Sequence, residues 1–142
     1  MSADAPNQGV EQRAKQRVEQ LTARVGKTFP RIARLLKHAD FERVYKQGRR
    51  QFSSHMTVFY LRQAEGGARI GFTVGRVLGG AVERNRIKRR LREAVRKCRA
   101  ILKGPVDVVI NPKKSALKVK FPILLEEVSR AFEVIAGKMA EK

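Results

Sequence analysis

The sequence predicts a small α+β sandwich, and three observations lead to that class. Alternating apolar residues mark two strands on either side of a Gly-rich turn. A long segment of helical periodicity follows, and a short apolar strand lies beyond it. A second amphipathic helix closes the chain, so helices are expected to pack against one sheet.

Met1 to about Pro30 is expected to be an appendage. Val10, Ala14, Val18, Leu21 and Val25 fall at helical spacing but are surrounded by polar residues. Such a segment is marginal alone, so residues 1–30 read as a flexible basic arm. The folded domain is expected over 31–142. Ala39 to Gln47 reads as a short helix, with Phe41, Val44 and Tyr45 on one side and Gly48 as its stop. Phe52 to Leu61 alternates as a strand, Met56, Val58 and Tyr60 on one parity, His55, Thr57, Phe59 and Leu61 on the other. Glu65-Gly66-Gly67 signals a hairpin into a second strand, Ala68 to Gly75. There Ile70, Phe72 and Val74 point one way. Arg69, Gly71, Thr73 and Gly75 make an unusually bare opposite face, suited to close approach of another backbone. Arg76 to Ala81 loops into a helix of about Glu83 to Leu102, stopped by Gly104-Pro105. Val106 to Ile110 is a strand, Asn111-Pro112 a turn, and Pro122 to Ala136 a helix with Leu125, Val128, Phe132 and Ile135 inward.

Of 142 residues, 32 are Lys or Arg and 13 are Asp or Glu, a formal net charge of +19. Such a chain repels itself and attracts polyanions, nucleic acid first and an anionic membrane second. The most apolar window, Ile70 to Val82, is short, Gly-rich and broken by Arg76, so it cannot span a bilayer. A membrane-surface helix would need exposed Trp or Phe; there is no Trp, and the apolar stripe of the long helix is aliphatic. The single cysteine, Cys98, excludes an internal disulfide framework and a Cys-rich zinc site, and its place on that stripe marks it as core. The first thirty residues lack the apolar run of a secretory signal, which points to the cytoplasm. His38 and His55 lack metal-ligand spacing, Asp40 and Glu42 read as helix N-terminal charges, and the acids are scattered. No catalytic residue and no protein-bound cofactor or metal is expected.

The long helix carries the signal. Arg84 to Lys103 holds ten basic residues and one acid, Glu93. At 100° per residue, Ile87, Leu91, Ala94, Val95, Cys98, Ile101 and Leu102 form an apolar stripe. Asn85, Arg89, Arg92, Arg96, Arg99 and Lys103 form a second stripe with Lys88 at its edge, and Glu93 is placed across the helix from it. Like charges at four-residue spacing weaken an isolated helix, so the stripe implies an anionic partner. Arginine grips phosphate with paired hydrogen bonds, and a ladder of them suits a phosphate backbone.

Gly79-Gly80-Ala81-Val82-Glu83-Arg84-Asn85-Arg86-Ile87-Lys88-Arg89-Arg90-Leu91-Arg92-Glu93-Ala94 closely resembles the signature of the bacterial ribonuclease P protein subunit. Asp40-Phe41 with Val44-Tyr45 is similar to that family's first helix. Arg69-Ile70-Gly71-Phe72 and Asp107-Val108-Val109-Ile110 are similar to its flanking strands. The resemblance runs from about Arg34 to Ala136. Two positions depart: Val77 stands where a second basic residue is common, and Gly80 where Asn is usual.

The resemblance implies a two-layer sandwich, an about four-stranded mixed sheet packed with three helices, with a left-handed crossover around the long helix. It implies an endonuclease whose RNA subunit, holding magnesium, removes the 5′ leader of precursor tRNA, one protein serving each RNA subunit. Arg84, Asn85, Arg86, Lys88, Arg89, Arg92, Arg96 and Arg99 would bind the RNA subunit. Phe41, Tyr45 and Phe59 match the family's cleft aromatics. With Gly71, Thr73 and Arg76 they would bind the single-stranded leader, whose bases can stack on aromatic faces with little sequence preference. The alternative is a structural ribosomal or general RNA-binding protein, with the same charge but no preference for precursor over mature tRNA.

Overall fold

A computed structural model describes residues 29–141; the arm expected over 1–30 lies almost wholly outside the described residues. Strands β1 (Arg49–Phe52), β2 (Met56–Arg62), β3 (Arg69–Phe72) and β4 (Val106–Pro112) form one mixed sheet. The helices are α1 (His38–Gln47), α2 (Ala81–Cys98) and α3 (Phe121–Ala140). The fold is α+β, as expected.

The strand order is β1-β2-β4-β3. β2 pairs antiparallel with β1 and β4, and β3 pairs parallel with β4. β4 therefore separates β2 from β3, and Glu65-Gly66-Gly67 turns the chain without making a hairpin. The reason lies in Val106 to Ile110, which are buried throughout. A strand apolar on both faces belongs in the middle of a sheet. A β2–β3 hairpin would leave it at an edge.

The single strand expected from Phe52 to Leu61 is two. Ser53 breaks it, its backbone N–H and its hydroxyl both donating to the Met56 carbonyl, at 3.0 and 3.1 Å. The preceding Arg49-Arg50-Gln51 lacks apolar alternation and forms an edge strand. Asn111-Pro112 does not turn the chain but ends β4, opposite Thr57 and Met56. A strand terminus tolerates the missing proline N–H. β3 is shorter than expected, although Thr73 N–H still reaches the Ile110 carbonyl at 3.0 Å.

The main core lies between one sheet face and the pair α2–α3. The α2 stripe, Ile87, Leu91, Ala94, Val95 and Cys98, is buried with Leu102 beyond it, while Ile101 is half-buried. It meets Leu124, Val128, Phe132 and Ile135 of α3 and Met56, Val58, Ile70, Val108 and Ile110 of the sheet. α3 runs one turn past the expected end because the Arg62 guanidinium caps its last carbonyls, those of Lys138, Met139 and Glu141, at 3.2, 2.5 and 3.0 Å. On the other sheet face α1 covers a smaller cluster of Leu35, Val44 and Val109, joined by Phe41, Phe59 and Leu61. Gly48 closes α1: a Cβ there would lie 2.4 Å from the Val44 carbonyl oxygen and 2.6 Å from that of Tyr60. Phe29 to Leu35 lies along the β3 edge. Phe29 is buried against Phe72, and Leu35 N–H bonds the Ile70 carbonyl at 3.0 Å.

Candidate nucleic-acid interface

Helix α2 buries its apolar stripe and leaves the basic residues outside. Asn85, Arg86, Arg89 and Arg92 are exposed, and Arg84, Lys88, Arg96 and Arg99 are half-buried. The Arg84 Nε is shielded from solvent and has no hydrogen-bond partner among the described residues. Arg90, in the middle of the signature, does something else. Its guanidinium donates to the carbonyls of Leu117 and Val119, tying the loop before α3 to α2. Burial, with Arg86 nearby, lowers its pKa from the usual value. Glu93 is not across the helix from the stripe. It pairs with Arg96, whose Nε lies 3.1 Å from the carboxylate. Only about 60° separate positions three apart on a 3.6-residue helix, which the expectation overlooked.

Five of the six residues expected to meet a leader come together on the opposite sheet face. The Phe41 ring of α1 fits against β3 because Gly71 has no side chain: a Cβ there would stand 2.5 Å from Phe41 Cζ. Tyr45, one turn on, packs edge to face against Phe59 of β2, with centroids 4.9 Å apart and planes at 88°. The Tyr45 hydroxyl donates to Asn111 Oδ1 at 2.8 Å and lies 2.5 Å from the Thr73 hydroxyl, which then donates to it. Tyr45 is 36% exposed, so one part of the ring pair remains open to solvent. Arg76, the sixth, is exposed in the turn before α2, and no contact among the described residues ties it to this cluster.

Two residues of the site were missed. Asn111 fixes the Tyr45 hydroxyl, and its signal was parity: 107, 109 and 111 share one face of β4. Asp107, fully buried at the start of that row, takes a paired grip from Arg69 at 2.9 and 2.7 Å and a third bond from Gln63 at 3.1 Å. Arg69 also reaches Asp40 of α1 at 3.4 Å, and Asp40 pairs with Arg43 at 3.1 Å. Asp40 thus does more than complement the helix dipole, since it ties the start of α1 to the sheet. The Asp107 hydrogen bonds raise the Arg69 pKa above its usual value.

A groove of about 260 Å³ at the β3 edge is lined by Phe41 and Gly71, by Arg34 and Leu36, and by Arg92 of α2. His38 pairs with Glu42, and His55 bonds Ser115 at 2.7 Å and faces Glu127 at 3.4 Å. Among the described residues no group of three or more His, Cys, Asp or Glu could hold a metal ion. None of their helices is long and apolar enough to cross a membrane.

The family model for ribonuclease P matches residues 29–136. The ribonuclease P protein component of Symbiobacterium thermophilum is 42% identical over 101 residues, 70% of this chain and 88% of that protein. That of Dictyoglomus thermophilum is 32% identical over 117 residues, 81% of this chain and 97% of that protein. The solved ribonuclease P protein of Thermotoga maritima superposes with a TM-score of 0.65 at 26% identity, covering 71% of this chain and 96% of that one. That of Staphylococcus aureus gives 0.61 at 28% identity, covering 73% and 94%. This chain belongs to the ribonuclease P protein family.

Proposed function

We propose that this chain is the protein subunit of ribonuclease P in the cytoplasm, one copy bound to each RNA subunit, where it assists removal of the 5′ leader from precursor tRNA. The observation that carries this reading is the groove at the β3 edge, whose lining brings Arg92 of the basic helix face together with Phe41 and Gly71 of the cleft. Arg84, Asn85, Arg86, Lys88, Arg89, Arg92, Arg96 and Arg99 hold the RNA subunit, the arginines gripping phosphates with paired hydrogen bonds. Phe41, seated on Gly71, stacks unpaired leader bases together with Tyr45 and Phe59, beside Thr73, and Arg76 approaches a phosphate. Cleavage belongs to the RNA subunit, which holds the magnesium. This chain adds phosphate and base contacts that a leader-bearing substrate makes and mature tRNA lacks.

The test combines the full-length protein with a bacterial ribonuclease P RNA and a precursor tRNA at low magnesium. The protein is expected to raise the cleavage rate and tighten binding of the precursor over mature tRNA. RNA-free protein is expected to leave the precursor intact. Cleavage by protein that survives ribonuclease treatment, or equal affinity for precursor and mature tRNA, overturns the proposal.

A further inference from the structure

The cleft is not where the aromatic face of the sheet ends. Residues directly opposite each other on neighbouring strands share a face. Arg50 pairs with Phe59, which pairs with Val109, which pairs with Gly71. Phe52 pairs with Thr57, which pairs with Asn111. Arg50 and Phe52 of β1 therefore stand on the same face as the cleft residues, one strand farther out. Phe52 is 68% exposed, and the Arg50 guanidinium carbon lies 5.4 Å from its ring centre. Such a pair presents an aromatic plane beside a fixed positive charge.

The two edges of the sheet differ. Residues 34 and 35 cover β3. β1 has no strand beyond it among the described residues. An open edge bearing an exposed Phe invites pairing with a second copy. Here Arg49 and Arg50 lie on that edge, and Lys113 is anchored beside it, its Nζ donating to the Ser53 carbonyl at 3.1 Å. Like charges repel a second copy and attract a polyanion. A strand of RNA entering the cleft at the Arg92 groove, beside β3, crosses the sheet and leaves it over β1.

We propose that Arg50 and Phe52 extend the cleft across β1 and stack an unpaired leader base farther from the cleavage site than those held against α1. The inference rests on the cleft binding the leader. The ring takes the base face, and the guanidinium takes a flanking phosphate.

The experiment uses the full-length protein with its RNA subunit and precursor tRNAs whose leaders are shortened one nucleotide at a time. A fluorescent purine at each leader position reports stacking by quenching. With the unaltered protein, affinity is expected to step up when the leader becomes long enough to reach β1. Phe52→Ala is expected to remove that step, roughly fivefold or more for one stacked base. It should also relieve quenching at distal positions only. Arg50→Gln weakens the step and Phe52→Trp restores it. Melting should be unchanged because the ring is exposed. An identical length profile for Phe52→Ala and the unaltered protein overturns the proposal. So does a protein dimer dissolved by Phe52→Ala with the leader profile intact, which would assign the edge to a second copy. If the unaltered protein ignores the leader at every length, the cleft reading itself has failed, an outcome distinct from loss of the distal step alone.

Discussion

The basic face of α2 and the cleft beneath α1 are built on opposite principles. The first is local: all its residues but Arg99 come from one continuous helix, whose 3.6-residue period places them, and Arg99 follows in the 3-10 turn at its end. The second is assembled from α1, β2, β3 and β4, and its Tyr45–Asn111 bond joins residues 66 apart in the chain. A local surface fails one residue at a time, whereas an assembled one fails when any support shifts. The sharpest way to separate the two is to damage the supports of the cleft and watch the helix.

Asp107→Ala should have the largest effect. It removes a buried acceptor bound by both Arg69 and Gln63, and it loosens the link through Arg69 to Asp40 on α1. Hydrogen bonds to charged groups contribute about 1.5–3 kcal/mol. A clear fall in melting temperature is therefore expected, together with lost preference for leader-bearing tRNA. The salt dependence of RNA-subunit binding should be preserved, since α2 makes none of these contacts. A salt slope that changes alongside leader preference would show that the two surfaces are one cooperative unit.

Gly71→Ala attacks the cleft from its floor. The added Cβ would sit 2.5 Å from Phe41 Cζ, so the ring must lift or β3 must move. Overpacking of this kind costs about 1–3 kcal/mol. Leader discrimination should drop further than stability, because the displaced ring is the proposed stacking surface. Retained discrimination at lowered stability would assign Phe41 to packing alone.

These two substitutions also mark where sequence reading stopped. The apolar stripe of α2, the inward face of α3 and the cleft aromatics were legible, the last through family resemblance. Strand order was not, because a Gly-Gly turn looks the same whether its strands pair directly or admit another between them. β1 was invisible because Arg49-Arg50-Gln51 carries no alternation, its strand state being imposed by its pairing with β2. Asn111-Pro112 read as a turn from local chemistry, and tertiary pairing overrode it. Arg90 received no role from the helical wheel, because its role depends on the carbonyls of Leu117 and Val119, 27 and 29 residues away.

Arg89→Gln and Arg92→Gln test the local surface. Each lost phosphate contact should shrink the slope of log affinity against log salt by about 0.7–0.9, because fewer counterions are released. Melting should hold or rise slightly as repulsion within α2 is relieved. The pair also separates the surfaces more finely. Arg92 lines the groove shared with Phe41, so its loss should weaken leader discrimination as well. Arg89 does not line it, and its loss should act on the RNA subunit alone. Unchanged affinity and slope for both variants would reduce the stripe to a solvated face.

Glu93→Gln should have the smallest effect, and its direction is the informative part. Hydrogen bonding to Arg96 holds the Glu93 carboxyl below its ordinary value of 4.5, and the same pairing raises the Arg96 pKa. A carboxyl with a lowered folded-state pKa stabilises the fold above its unfolded value, and that contribution disappears as pH falls through the folded value. Glu93 is 43% exposed, so solvent screens the pair and the contribution is about 0.3–0.5 kcal/mol. The variant should therefore melt slightly lower than the unaltered protein at neutral pH, with the difference vanishing as pH falls through the lowered folded-state value, below the ordinary glutamate range. Its effect on RNA should be opposite in sign to that of the arginine variants. With the charge that Glu93 sets against Arg96 removed, a phosphate meets less competition for this guanidinium, so affinity should rise and the salt slope should steepen. Calorimetric melts across acid pH, paired with a salt titration of RNA-subunit binding, measure both halves. A weaker complex with a shallower slope would mean that Glu93 positions Arg96 for the RNA and does not compete with it.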